Sequence, residues 1–272
     1  QLKLGILLPF KVKEIIFDSL EDTKKTLAGR NLHTLSLDFY TGVLFALEKV
    51  SKRNIEIELK TYDTDNDKYK IKKIIDSEVL KDLDLLIGPL ITTNFDFISN
   101  EPSLKNIPKI APLSSRSVKF RKNVFQSVTS ENDYRNKMYE YLETKLDSTQ
   151  NIIIVADHLN HRIEKELQDR FPWAIKIRPE KTDYIIPELV DSLLIDSIPN
   201  KVILETQSFP LIASAISQFN AQNTRDRDVQ LFTTYRSNAY DNDNLSRKVL
   251  GGLHFTYSAG SKPLDRPIED PF

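Results

Sequence analysis

Apolar residues in this chain come in short continuous runs, separated by longer stretches in which they recur every three to four positions. Leu4-Gly5-Ile6-Leu7-Leu8 is one such run and predicts a buried strand. Over 35–50 the residues Leu37, Tyr40, Val43, Leu44 and Leu47 share one face and predict a helix, and 55–59 predicts a second strand. The alternation continues with a helix over 69–80, a strand ending at Gly88, a helix over 95–104, a strand at Ile110 and a short one at Val124-Phe125-Gln126. A second series opens with Asn151-Ile152-Ile153-Ile154-Val155-Ala156. It runs through a helix at 163–171, a strand at 174–177, a helix at 185–194, the strand Val202-Ile203-Leu204, a helix at 211–219 and the strand Val229-Gln230-Leu231-Phe232. Uninterrupted apolar strands joined by helices belong to parallel sheets covered on both faces. A long helical stretch over 134–146 separates the two series, so the expected fold class is α/β, with two doubly wound parallel-sheet lobes and a hinge crossing at 127–133.

Two strand ends carry the chemistry. Asp84-Leu85-Leu86-Ile87-Gly88-Pro89-Leu90-Ile91-Thr92-Thr93-Asn94 stops at Gly-Pro and turns hydroxyl-rich, and Ile107-Pro108-Lys109-Ile110-Ala111-Pro112-Leu113-Ser114-Ser115 repeats the plan. In open α/β sheets a ligand sits at the carboxyl ends of the strands, where loop amides and helix N-termini favour an anion. Thr92, Thr93, Ser114 and Ser115 therefore either cap helices or hold an anion such as a carboxylate.

Composition narrows the class. With 272 residues and 40% hydrophobic content the chain has ample material for two cores. The net charge is −1, from 38 basic and 39 acidic residues, so no basic field exists overall to hold a phosphate backbone and nucleic acid is not an expected partner. No apolar run approaches the roughly 20 residues that span a bilayer, so the chain is read as not membrane-spanning. Gln1 stands directly before a strand, and any export signal is expected to lie outside this sequence. Cysteine is absent, which removes disulfides, thiolate metal sites and cysteine nucleophiles and suits an oxidising compartment.

Leu4-Gly5-Ile6-Leu7-Leu8-Pro9-Phe10, Asp38-Phe39-Tyr40-Thr41-Gly42-Val43, Leu86-Ile87-Gly88-Pro89 and Pro108-Lys109-Ile110-Ala111-Pro112-Leu113-Ser114-Ser115 stand in an order that resembles the first lobe of type I periplasmic binding proteins, the leucine/isoleucine/valine-binding class of solute receptors. Asn123-Val124-Phe125-Gln126-Ser127 matches that family's strand into the second lobe, and Leu250-Gly251-Gly252-Leu253-His254-Phe255-Thr256 the strand leading back. The chain also resembles the domain found beside LysM peptidoglycan-binding repeats in bacterial envelope proteins, and more distantly the lipoprotein activators of peptidoglycan synthases. The resemblance implies lobe 1 in 1–126 and 257–272, lobe 2 in 134–256, and a periplasmic or envelope location. It further implies a ligand carboxylate held in the interlobe cleft by Thr92, Thr93, Ser114 and Ser115. From the second lobe it implies groups at Glu205, Gln207 and Tyr235, and Arg116 or Arg236 suits an anionic ligand. Family members cross between lobes three times. Here the second crossing falls near 257–262, and Pro263, Pro267 and Pro271 then predict an extended tail that leaves the first lobe unfinished.

Catalysis finds little footing. The seven glycines form neither a dinucleotide fingerprint nor a phosphate loop, and the four histidines show no metalloprotease pattern. Asp157, His158 and His161 read as a solvated helix entry rather than a metal site. Asp63-Thr64-Asp65-Asn66-Asp67 starts like a calcium loop but has Lys68 where the turn glycine belongs, and reads as a strand-to-helix loop. The expectation is a non-enzymatic chain without cofactor or metal. Two functions remain: a binding domain that closes on a small polar ligand, such as an amino acid, short peptide or cell-wall fragment, or an interaction module of peptidoglycan machinery on the same fold. The polar, weakly periodic stretch 11–33 is expected to be a long mobile loop at the cleft mouth.

Overall fold

The computed structural model describes residues 1–179 and 183–260. The chain divides into two compact units, Gln1–Ser130 and Glu131–Phe272. In the first unit β1 (Leu2–Leu8), β2 (Ile57–Asp63), β3 (Leu85–Ile87), β4 (Lys109–Ala111) and β5 (Val124–Gln126) form one sheet in the order β2-β1-β3-β4-β5, every pairing parallel. Helices α1 (Leu20–Leu27), α2 (Leu32–Ser51), α3 (Lys68–Asp76) and α4 (Thr92–Ser99) run between the strands. The side chains of β1 divide between two layers: Leu7 joins Leu86, Ile71, Ile75 and Ile98 beneath α3 and α4, while Ile6 and Leu8 meet Leu35, Phe39, Tyr40 and Val43 of α2. This second layer is thin. Phe125 on the edge strand β5 is 55% exposed and Phe45 of α2 is 56% exposed.

The stretch 11–33 is not one long loop. A short 3₁₀ turn at Val12–Glu14 is followed by α1, whose N-cap Ser19 accepts from the Asp22 amide, with Glu21 and Asp22 in its first turn and Lys24 and Lys25 in its last. The helix buries none of its residues, so it rests on capping and charge placement, and with Leu20 and Leu27 as its only large apolar residues it carries little apolar signal to read. A reciprocal cap between Asn31 and Thr34 then starts α2 at Leu32.

In the second unit β6 (Asn151–Ala156), β7 (Ile175–Ile177), β8 (Asn200–Glu205) and β9 (Val229–Phe232) give the order β7-β6-β8-β9, again wholly parallel. All six residues of β6 are buried, which is why it reads as a continuous apolar run. Helices α5 (Glu131–Lys145) and α6 (His161–Arg170) cover one face with Met138, Tyr139, Leu142, Ile163 and Leu167. Helices α7 (Pro187–Leu193) and α8 (Phe209–Gln222) cover the other with Val190, Leu211, Ile212, Ala215 and Phe219. The stretch 250–256 is not a strand over its length. Ser246 caps a short helix, α9 (Arg247–Gly252), and the stretch meets the sheet edge through the isolated bridge of Phe232 to Thr256 and the Leu231 amide on the Leu253 carbonyl at 2.9 Å. The diglycine that ends this helix carries no side chain to pack into a ladder, and His254 takes a left-handed φ of 46° directly before the bridge. The tail expected over 263–272, and with it the unfinished first lobe, lies outside the described residues.

Candidate functional site

The strand order of each unit reverses beside its first strand, β1 in one sheet and β6 in the other, and in open parallel sheets the carboxyl-end loops on either side of such a reversal are where ligands sit. In the first unit Gly88 ends β3 with φ 89°, and a Cβ there would stand 2.3 Å from the Leu7 carbonyl oxygen of β1. Only glycine allows that approach. The chain then enters α4, whose N-cap residue Ile91 offers no side-chain acceptor to the first-turn amides. Thr92 opens that turn half-buried, and its Oγ1 lies 2.8 Å from Oγ of Ser114 in the loop after β4. The Arg116 amide donates to Ser114 Oγ at 3.2 Å, and Gln126 Nε2 donates to the carbonyls of Ser114 at 2.7 Å and Arg116 at 3.0 Å. This clamp fixes the loop on the last residue of β5. Thr92 and Ser114 are thus brought together; Thr93 is exposed one residue along the helix, Ser115 is half-buried beside Ser114, and the Arg116 side chain is exposed.

The 11–33 segment is tied to the same end of the sheet. Asp63, the last residue of β2, accepts from the amides of Lys11 and Val12, both at 3.1 Å, and of Asp65 at 3.0 Å. Burial opposes ionisation of this carboxyl, but the three amides outweigh it and hold its pKa below the usual aspartate value. Asp67, at the other end of the acidic run, caps α3 through the Tyr69 amide. Among the described residues no three His, Asp or Glu side chains are grouped to hold a metal ion.

In the second unit a cavity of about 510 Å³ sits at the reversal point between β6 and β8, lined by Asp157, His158, Leu159, Asn160, Gln207 and Ser208. Asp157 organises it from below. Its Oδ1 accepts from the amides of Leu159 and Asn160 at 3.0 and 3.1 Å, and its Oδ2 accepts from the Thr206 hydroxyl at 2.5 Å. Gln207 is exposed on the rim, at the entrance to α8.

Glu205, the last residue of β8, is buried among partners of its own unit. It is 1% exposed, its Oε2 lies 2.7 Å from Arg135 Nη1, and its Oε1 accepts from the Thr234 amide at 2.6 Å. Arg135 in turn binds Glu131 at 2.8 Å and the Thr234 hydroxyl, and its guanidinium lies 5.5 Å from the centre of the Tyr235 ring. Burial pushes the Glu205 carboxyl up, while Arg135 and the Thr234 amide pull it back. The carboxylate suggested for a ligand ammonium is therefore satisfied within its own unit, where it ties α5 to the ends of β8 and β9. Arg135 escaped the sequence reading, although it shares the i, i+3, i+4, i+7 face of α5 with Met138, Tyr139 and Leu142. A charge on a core-facing stripe is a legible sign of a buried partner.

Two all-parallel α/β lobes with reversal points beside their first strands define a type I periplasmic-binding-protein-like fold. No family model matches the chain, and no curated protein matches it. Among solved structures it is similar to full-length LpoA from Haemophilus influenzae, at 15% identity and TM-score 0.50, over 85% of this chain and 38% of that one. The C-domain of the same LpoA, described as a regulator of PBP1A, aligns at 15% identity and TM-score 0.47, over 85% of this chain and 64% of its own. A leucine-, isoleucine-, valine-, threonine- and alanine-binding protein from Brucella ovis aligns at 11% identity and TM-score 0.47, over 89% and 63%. The chain thus spans 38% of the length of full-length LpoA, and at these identities the likeness is one of fold.

Proposed function

We propose that this chain is a non-catalytic extracytoplasmic binding domain that takes a small polar ligand bearing a carboxylate, such as an amino acid, a short peptide or a cell-wall fragment. The observation that carries the reading is the pairing of Thr92 and Ser114 at 2.8 Å beside the side-chain-uncapped N-terminus of α4. Two hydroxyls and the amides of a first helical turn are the donors a carboxylate needs, and they stand at the strand ends where open parallel sheets leave a crevice. Thr93, Ser115 and Arg116 belong to the same proposed surface of the first unit, and in the second unit Gln207 and Tyr235, after β8 and β9, are the residues proposed to face a ligand. Glu205 enters as the support of Tyr235 rather than as a ligand contact. The cysteine-free composition supports the periplasm or cell envelope as the location.

A second reading keeps the fold and exchanges the ligand for a protein of the peptidoglycan machinery, in the company of LysM repeats. It is favoured by the internal use of Glu205, which removes the nearest answer to a ligand ammonium, and by the exposed apolar side chains Phe45 and Phe125. LpoA, with the same fold, is described as a regulator of PBP1A. A thermal-shift screen against amino acids, short peptides and muropeptides separates the two. Stabilisation by one class supports the binding domain, and silence from every class favours the interaction module.

A further inference from the structure

At the opposite end of β4 from Ser114 a second cavity, of about 450 Å³, opens at the start of the strand. Its walls are the stretch from the end of α4 to β4 and the turn before β5. That turn is closed by the Val124 amide on the Arg121 carbonyl at 3.1 Å, with Asn123 at φ 64°. Asn123 Nδ2 then reaches across to the carbonyls of Lys105 and Asn106, both at 3.3 Å, and holds the two walls in register.

The lining is basic although the chain as a whole is not. Lys105, Lys109, Arg121 and Lys122 face the cavity against the single acid Glu101, four positive charges less one, or +3. Glu101 already has a cation, Lys72, at 3.9 Å. Among the described residues no carboxylate lies within ion-pair distance of any of the four basic residues. Lys109 is 1% exposed, and its ammonium donates only to backbone carbonyls, those of Ile107 at 2.8 Å and of Leu104. Burying a charge on uncharged partners is costly, and desolvation lowers this lysine's pKa. Beneath the cavity floor its charge is poorly screened and adds to the field of the three exposed cations.

We propose that this cavity is an anion site for a phosphoryl-bearing ligand, either a free phosphate or diphosphate or the headgroup of an anionic lipid. The cation types fit that chemistry. Arg121 supplies a planar fork that can take two phosphoryl oxygens, and Lys105 and Lys122 supply mobile point charges at the rim. A single phosphate carries about −1.5 to −2 at neutral pH, so a second phosphoryl group brings the ligand close to the charge of the lining.

The test uses the chain 1–272 and two probes. Pyrophosphate is titrated calorimetrically at low ionic strength, and co-sedimentation is measured with phosphatidylcholine vesicles with and without phosphatidylglycerol. R121Q/K122Q removes two exposed cations of the site, and K137Q/K145Q removes two exposed cations from α5 as a charge-matched control. The expected result is binding of pyrophosphate, of the anionic vesicles or of both, weakened about tenfold or more in R121Q/K122Q and unchanged in K137Q/K145Q. Pyrophosphate binding alone identifies a soluble ligand, and vesicle binding alone a lipid headgroup. The proposal is overturned if neither probe binds, if R121Q/K122Q binds as the wild type does, or if the control loses as much as the site variant.

Discussion

Arg135 and Glu205 are 70 residues apart in the chain and meet at 2.7 Å with almost no exposure, so their coupling tests how the second unit is held together. Arg135→Met leaves a buried carboxylate facing only the Thr234 amide and the Thr233 hydroxyl. Breaking a buried pair by removing one partner costs about 3–5 kcal/mol, because the remaining charge is uncompensated. Glu205→Leu strands the arginine less completely, since Glu131 still binds it at 2.8 Å, and a cost of about 2–3 kcal/mol is expected. The double variant R135M/E205L removes both charges. Its Thr234 amide is left unpaired as in the single Glu205→Leu variant, so that cost cancels in the cycle, and a coupling of about 2 kcal/mol or more should remain. Urea unfolding followed by the fluorescence of Trp173 measures this directly. That side chain is the chain's one tryptophan and packs edge-on against Phe171 in the second unit, so its signal reports that unit. Removing Arg135 leaves only the Thr234 hydrogen bonds to oppose burial at Glu205, whose folded pKa then rises further above its unfolded value. Stability that depends on a raised carboxyl is lost as pH rises, so the deficit of R135M should be small near pH 4 and grow toward neutrality, with Glu unfolded at about 4.3. Additive single costs, within about 0.5 kcal/mol, together with a pH-independent deficit, would refute the account of this pair.

Gly88→Ala should destabilise the first unit by about 1–3 kcal/mol, because the residue sits at φ 89° and its Cβ meets the Leu7 carbonyl oxygen; chemical denaturation gives the value, and a change under 0.5 kcal/mol, roughly the noise of such work, would be inconsistent with the tight crossing. Asp63→Asn should loosen the 11–33 segment, seen as faster amide exchange at Lys11 and Val12. The depressed pKa of Asp63 means that its stabilisation is present above the unfolded value of about 3.9 and is lost as pH falls through the lower folded value, so the wild type should approach the variant only in acid. Asn200→Leu should cost about 3 kcal/mol or more. The side chain is fully buried and serves Asn151 Nδ2 at 2.8 Å, the Ile195 amide at 2.9 Å and the Ile195 carbonyl at 2.9 Å, and a mild effect on thermal unfolding would show that these groups find other partners.

What could be read from the chain follows from how local the signal is. β6 and β9 fall where their apolar runs stand, because a strand buried on both faces needs no partner to be recognised, and the short edge strand β5 also falls at its predicted residues. The closeness of Thr92 and Ser114 follows from strand order, since β3 and β4 are neighbours and their following loops leave on the same edge. Helix α1 was hidden because it buries nothing and is specified by its cap and end charges. The 250–256 stretch reads apolar enough for a strand, yet Ser246 and the diglycine give it a helical turn and leave Leu253 and Thr256 to bond the edge of β9. Glu205 lies at the end of a well-predicted strand, but its partner sits on a helix 70 residues earlier. Nothing in the local pattern distinguishes a carboxylate turned toward a ligand from one turned toward an arginine. The basic cavity at the foot of β4 was masked by a balanced net charge, which reports a sum and not a distribution.

The central claim, that the hydroxyl pair at the ends of β3 and β4 receives a carboxylate, is met most directly by calorimetric titration of the wild type and of T92V/S114A with the amino acids, peptides and muropeptides of the screen. The account predicts one responsive class, whose ligand stabilises the wild type by about 2.7 kcal/mol at a hundredfold excess over its dissociation constant. Binding should weaken by about tenfold or more when both hydroxyls are removed, and the esterified or amidated form of the ligand should fail to bind. A ligand that binds T92V/S114A as tightly as the wild type, or no heat from any carboxylate-bearing class, would contradict it.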